Sequence, residues 1–121
     1  QNHHHMNVDN AKSQMRKGML EYCILEIIQS HEAYATEILD ELKSANLLIV
    51  EGTLYPLLTR MKNSGLLSYR WQESTAGPPR KYFCITDEGT ALLQELEREW
   101  IAISDAVQTI TQKKNHSLAT L

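Results

Sequence analysis

The sequence has little of several things: two cysteines, three prolines and one phenylalanine among 121 residues. The two cysteines, Cys23 and Cys84, lack the CxxC spacing of a zinc site, and we predict both to be core thiols in a reducing cytoplasm. With 42% apolar and 22% charged residues, the composition excludes collagen-like, low-complexity and wholly disordered chains. A chain of this length is expected to fold as one domain around a single modest core.

The sequence also lacks the patterns of a secretory signal and of a transmembrane helix. No apolar run approaches the roughly 18 residues that a transmembrane helix needs, so we expect no membrane partner. The first ten residues lack the apolar stretch of a secretory signal. His3, His4 and His5 resemble the remnant of an expression tag, with a natural metal-binding tract as the alternative, and residues 1–9 are predicted to be tag remnant and disordered N-terminus.

Catalytic and metal-binding motifs are absent as well. The sequence contains no GxSxG, no HExxH and no glycine-rich phosphate loop. We therefore predict that the protein is not an enzyme, with no catalytic residues, no metal and no cofactor.

Charge is distributed unevenly along the chain despite a net charge of only −3. Between residues 60 and 81 five basic residues face a single acidic one, Glu73. Residues 86–121 are acidic on balance. A basic middle followed by an acidic tail indicates a polyanionic partner, although solvated surface cations are the alternative. The basic residues are Arg60, Lys62, Arg70, Arg80 and Lys81.

Apolar spacing predicts three helices, over residues 12–29, 33–45 and 51–63, with residues 47–50 as a connector or short strand. The first helix carries two apolar stripes, which predicts a wide buried face. Asn46 and Gly65 are expected to end the second and third helices in the left-handed conformation. The two stripes comprise Met15, Met19, Cys23 and Ile27, and Leu20, Ile24 and Ile28.

The third helix is expected to present one apolar and one polar face. Glu51, Gly52 or Thr53 could cap it, which would place Pro56 in its first turn. Its apolar residues are Leu54, Leu57, Leu58 and Met61, and the opposite face carries Pro56, Thr59, Arg60 and Asn63, flanked by Tyr55 and Lys62.

A hairpin and a long helix complete the chain. Residues 66–73 alternate in polarity and residues 80–85 are rich in aromatic and β-branched residues, so both are predicted strands joined by a turn at residues 74–79. Thr86 is expected to cap the last helix. Its apolar residues recur with heptad-like spacing and predict pairing with another chain; they are Leu92, Leu96, Trp100, Ile103, Val107 and Ile110.

This order of elements predicts a mainly α fold with a small β-hairpin: a winged helix-turn-helix domain followed by a long C-terminal dimerisation helix. The domain is expected over residues 10–85, the dimerisation helix over residues 86–113 and a frayed tail over residues 114–121. In helix-turn-helix proteins the second helix of the pair enters the major groove, and a wing can reach phosphate or the minor groove.

Several blocks of the sequence resemble the PadR-type winged-helix transcriptional regulators. They are "GTLYPLLTRM" at residues 52–61, "SGLL" at 64–67, "GPPRKYF" at 77–83 and "ITDEG" at 85–89. The resemblance implies a dimeric cytoplasmic repressor that binds double-stranded DNA at an inverted repeat, with the last helix dimerising against the first. The resemblance also implies that some relatives bind aromatic or planar cationic effectors between subunits, on a tryptophan of the last helix, a position that Trp100 matches.

Together these observations define three candidate sites. Tyr55 could contact phosphate through its hydroxyl or could instead pack its ring. Arg70 could contact phosphate or could instead pair with Glu73. A planar aromatic effector would bind near Trp100, Tyr22 and Met15, whose alternatives are interface and core packing. The candidate DNA contacts are Thr53, Tyr55, Thr59, Arg60, Lys62, Asn63, Arg80 and Lys81, and the candidate dimer interface comprises Leu92, Leu96, Trp100, Ile103, Val107 and Ile110.

A second function remains open at the level of sequence. A winged-helix module that binds another protein without touching DNA would account for the net negative charge. Flat titrations with DNA, together with capture of a protein partner, would distinguish it from a DNA-binding regulator.

Overall fold

The computed structural model describes the backbone of residues 3–119 and the side chains of residues 7–114. Four helices and one antiparallel hairpin follow in the predicted order. The elements are α1 (His3–Ser30), α2 (Ala35–Ser44), α3 (Glu51–Asn63), β1 (Leu67–Ser74), β2 (Gly77–Ile85) and α4 (Asp87–Ala119).

One apolar core joins all of these elements. Ile24 and Leu25 of α1, Ile38 of α2 and Leu58 of α3 are fully or almost fully buried. Leu93 contributes the first turns of α4 to the same core. Burial of these side chains, at about 25 cal/mol per Å² of apolar surface, holds α2, α3 and the first turns of α4 around α1. The remaining core residues are Ile28, Ala33, Ala35, Leu42, Leu54, Met61, Leu67 and Phe83.

The hairpin is fastened to the helices at two points. Ala33, between α1 and α2, exchanges two backbone hydrogen bonds with Phe83 of β2, at 3.2 and 2.8 Å. The hydroxyl of Thr86 lies 2.6 and 3.0 Å from the carbonyl oxygens of Gly65 and Leu66, just after α3. It also accepts a hydrogen bond of 3.0 Å from the amide of Gly89, which confirms Thr86 as the cap of α4.

Both predicted left-handed positions are confirmed. Asn46 has φ of 64° and ends the turn after α2. Gly65 has φ of 82° and ends α3. Gly89 is needed for a different reason: a Cβ there would lie 2.2 Å from the carbonyl oxygen of Leu66, so only glycine allows α4 to approach the chain this closely.

The helical boundaries differ from the predictions at both ends of the chain. α1 begins at His3, so residues 3–9 are helical where a tag remnant and disorder were expected. α4 continues to Ala119 instead of fraying after residue 113. Neither end segment contains glycine or proline, so nothing in the sequence stops the helix. Residues 1, 2, 120 and 121 of the predicted tag remnant and tail lie outside the described residues.

Within the domain, α3 has the predicted bounds but a different cap. Val50 is its N-cap, without a side-chain hydrogen bond, so Pro56 lies inside the helix instead of in its first turn. The strand β2 begins at Gly77 and therefore includes Pro78 and Pro79, which were expected in the turn. Prolines are tolerated there because each strand of a two-stranded hairpin is an edge strand.

Three side chains expected in the core are less buried than predicted. Met15 is 80% exposed, because it lies in the first half of α1, before the buried residues of this helix begin at Leu20. Neither cysteine is fully buried: Cys23 and Cys84 are free and half-buried. Partial burial raises the pKa of both thiols.

Candidate nucleic-acid interface

The exposed face of α3 forms one side of the candidate interface. Tyr55, Pro56, Thr59, Arg60 and Asn63 line a shallow surface along the helix. Leu54, Leu58 and Met61 on the opposite face are buried, as the spacing predicts. Short polar side chains that can donate to phosphate or to base edges are therefore gathered on one exposed stripe.

The hairpin forms the other side. A groove of about 470 Å³ lies between the start of α2, α3 and the hairpin, and Tyr55, Trp71, Arg80 and Lys81 are among its lining residues. We call it the α3–wing groove. Tyr34 and Thr36 line its α2 side. Two of the predicted wing cations therefore lie beside Tyr55 of α3.

The antiparallel register places the wing cations on opposite faces of the hairpin. Lys81 pairs with Trp71, and Arg80 pairs with Gln72. Because side chains of neighbouring residues in a strand point to opposite faces, Lys81 and Arg80 leave β2 on different sides, although both border the α3–wing groove. Lys81 is half-buried and Arg80 is exposed.

Each of these cations lies over an aromatic ring. The Nζ atom of Lys81 is 4.3 Å from the centre of the Tyr69 ring, and the guanidinium carbon of Arg80 is 4.6 Å from the centre of the Tyr34 ring. Lys62 of α3 also reaches Tyr69, at 5.6 Å. These contacts orient the cations without neutralising their charge.

Two other basic residues are held by carboxylates. Arg60 donates a short hydrogen bond to Glu21 of α1. Arg70 donates to Glu32 at 2.7 Å, so its predicted pairing with Glu73 is wrong. Arg60 and Arg70 therefore carry less free positive charge than their sequence positions suggest.

Thr53 is separated from the other α3 candidates. It is exposed, but it lines a second groove, of about 510 Å³, between α1 and the segment joining α2 to α3. Arg16, Lys17 and Leu48 line the same groove. The structure thus brings Tyr55, Thr59, Arg60 and Asn63 together, and places Thr53 around the helix from them.

The predicted seam of α4 divides into two parts. Leu96 is half-buried and packs on the core, while the fully buried residue of these turns is Leu93, which the heptad pattern missed. From Trp100 onward the seam is exposed, and Ile110 is 69% accessible. Leu93 is buried because α1 packs against the side of α4 that carries it.

Of the candidate effector residues, Tyr22 lies near the contact between α1 and α4, whereas Met15 is exposed. Tyr22 is half-buried, and burial with the nearby charges of Glu26 and Glu97 raises its pKa. Burial and a hydrogen bond with Glu97 likewise raise the pKa of Glu26. Trp100, one turn beyond Glu97, is 43% exposed.

Solved structures with the same fold come from several bacteria. A PadR-like transcription factor from Bacteroides fragilis is 57% identical, with a TM-score of 0.73 over 84% of this chain and 98% of that one. A PadR-like transcriptional regulator from Bacillus cereus is 40% identical, with a TM-score of 0.75 over 83% and 98%. A PadR family regulator from Eggerthella lenta is 33% identical, with a TM-score of 0.73 over 88% and 96%.

The four helices, the hairpin and these likenesses define a winged helix-turn-helix protein of the transcription-regulating class. The model of the PadR-like family of transcriptional regulators matches residues 24–95, more than half of the chain. The protein belongs to this family, which confirms the resemblance carried by its motifs and indicates DNA-binding transcriptional regulation. No helix within residues 3–119 is long and apolar enough to cross a membrane.

Proposed function

We propose that the protein is a cytoplasmic repressor that binds an inverted repeat in double-stranded DNA as a homodimer. The main supporting observation is the exposed polar stripe of α3 beside a cationic wing, in the α3–wing groove. In a helix-turn-helix protein this arrangement suits insertion of α3 into the major groove, with the wing on the adjacent backbone.

Within this proposal, contacts to base edges come from the middle of α3. Thr59 and Asn63 are exposed on its outer stripe and carry short side chains that can reach bases. Tyr55 is half exposed and offers its hydroxyl to a phosphate. Thr53, on the side facing α1, contacts the backbone at the edge of the site.

The cations act mainly on phosphates. Lys62, Arg80 and Lys81 lie over aromatic rings, and none of them is paired with a carboxylate among the described interactions, so they can meet phosphate without first breaking an ion pair. Arg60 contacts DNA only after it leaves Glu21. A duplex must therefore compete with a carboxylate for this one side chain.

Dimerisation follows from the exposed part of α4. Trp100, Ile103, Val107 and Ile110 are each more than 40% exposed in the single chain. A heptad-spaced apolar stripe of this kind is buried by a second helix in coiled coils. Leu92 and Leu96 extend the stripe towards the domain.

The proposal includes regulation by a planar aromatic effector that binds near Trp100. Trp100 offers an exposed aromatic ring, and Met15 an exposed flexible side chain, at the proposed interface between copies. The acidic groups around Tyr22 favour a ligand with positive charge. Titration of tryptophan fluorescence with planar cationic dyes, repeated with Trp100→Ala, tests this part separately.

Selection of bound duplexes from a random pool tests the DNA-binding proposal. We expect recovered sequences to contain two inverted half-sites whose centres are about 10 base pairs, or a multiple, apart. Sedimentation of the free protein should give a dimer. Recovery of no sequence, with flat titrations at low salt and capture of a protein partner, would favour an interaction module instead.

A further inference from the structure

The hairpin carries an exposed aromatic residue that the core does not use. Trp71 is 62% accessible, although it is among the largest apolar side chains of the protein. Its ring contacts Tyr69 edge to face, with centroids 6.2 Å apart. Burial of an indole side chain would stabilise the fold, and Trp71 does not provide this stabilisation. An exposed tryptophan therefore suggests a binding role.

A cation accompanies this ring. Lys81 is the cross-strand partner of Trp71, and its Nζ atom lies 5.3 Å from the centre of the Trp71 ring. The same ammonium lies over Tyr69. The side chains of Trp71, Tyr69 and Lys81 therefore form one cluster, an apolar surface with a positive charge at its edge.

The cluster lies on the hairpin face that is turned towards α3. Lys62 of α3 reaches Tyr69, and Trp71 lines the α3–wing groove together with Tyr55. On the opposite hairpin face Arg70 binds Glu32, which lies between α1 and α2. A molecule that extends from the outer stripe of α3 past Tyr55 into the α3–wing groove would therefore meet Trp71.

We propose that Trp71 is a DNA-contacting residue of the wing, whose indole packs against deoxyribose and base edges in the minor groove beside the α3 site. Lys81 meets the adjacent phosphate. Minor-groove proteins use apolar side chains beside basic ones in this way, and aromatic rings pack well on nucleotides. The inference rests on the proposed function and adds a neutral contact to its basic ones.

Affinity measured as a function of salt separates this role from a charge effect. On a duplex recovered from the selection above, we expect Trp71→Ala to lower affinity about tenfold, because the burial of the indole surface against the minor groove is lost. Trp71→Phe should retain most of the affinity. Because tryptophan is neutral, the salt slope should not change, whereas Lys81→Ala should lower it by about one.

Fluorescence gives a second readout that does not depend on the alanine variant folding. The sequence contains only two tryptophans, so Trp100→Phe leaves Trp71 alone and Trp71→Phe leaves Trp100 alone. We expect the duplex to shield Trp71 from acrylamide and to change its emission, and to leave the accessibility of Trp100 to acrylamide unchanged.

The outcomes separate the inference from the proposed function. Wild-type binding, combined with a Trp71 that stays accessible on the duplex and an unchanged affinity of the folded Trp71→Ala variant, would overturn the inference alone. A wild-type protein that binds no duplex would overturn both. Shielding of Trp71 by a protein partner but not by DNA would also overturn it.

Discussion

The wing and the outer half of α4 both expose apolar side chains, but their surroundings differ. On the wing, Tyr69 and Trp71 are accompanied by the ammonium of Lys81. On α4, Ile103 and Val107 recur at heptad spacing without such a cation in contact among the interactions described. Rings beside cations suit a polyanion with apolar sugars, whereas a plain aliphatic stripe suits a second helix.

The largest effect is expected when charge is placed in the exposed apolar stripe of α4, which we propose to be buried in the dimer. Ile103→Glu with Val107→Glu should weaken the dimer about 100-fold or more, because burying unpaired carboxylates costs several kcal/mol. DNA affinity should fall with it. Sedimentation equilibrium measures the change, and Thr109→Glu, away from the stripe, is the control. A double variant that remains dimeric would contradict the role of the stripe.

The second largest effect is expected at the start of α4, where this helix packs on the chain between α3 and the wing. Gly89→Ala would place a Cβ 2.2 Å from the carbonyl oxygen of Leu66, so the start of α4 must shift. We expect a loss of about 2 kcal/mol in the free energy of unfolding, as for other overpacked sites. Urea denaturation followed by circular dichroism measures it. Gly18→Ala is the control, because a Cβ there meets nothing within 4 Å; equal stability of the two variants would disprove the close approach.

A smaller effect should sharpen the assignment of the basic surface. Glu21→Gln removes the carboxylate that holds Arg60, so more of the Arg60 population is free to meet phosphate. We expect DNA affinity to rise about threefold and the salt slope to increase, by at most one unit for a single added contact. The double variant Glu21→Gln with Arg60→Ala should bind like Arg60→Ala alone. A fall in affinity on Glu21→Gln would show instead that Glu21 orients Arg60.

The smallest effect concerns the acidic contact of α1 with α4. The pKa of Glu26 is raised in the folded protein, so folding is weakened as pH rises through that pKa and the carboxyl ionises. Glu26→Gln should therefore stabilise the protein at pH 7, by about 0.5 kcal/mol, because the neutral amide avoids the desolvation of a carboxylate and its repulsion by Glu97. Near pH 4 the gain should vanish. Thermal melts across this range measure it, and a constant difference would contradict the assigned cause.

Local patterns in the sequence were sufficient for the element order and for α3. The spacing of Leu54, Leu58 and Met61 fixes its buried face, and Gly65 ends it as predicted. The motif blocks carry the family resemblance that the family match then confirmed. These features depend on neighbours within a few residues, which is why sequence alone reveals them.

Long-range packing accounts for what the sequence did not reveal. The partner of Arg60 lies 39 residues away on α1, and that of Arg70 lies 38 residues away. Leu93 is buried because α1 lies on that side of α4, which no heptad pattern records. Trp71 was visible only as one position of an alternating strand, and its importance emerged from the residues placed around it.

The hydrogen bonds of Thr86 to the chain just after α3 make α4 a lever rooted at the end of α3. Its 33 residues extend about 50 Å, so a rotation of about 6° at the root would sweep the far end by about 5 Å. In the proposed dimer the reverse also holds: small adjustments where two such levers cross would reset the distance between the DNA-reading helices. Operator spacing could then be tuned far from any nucleotide.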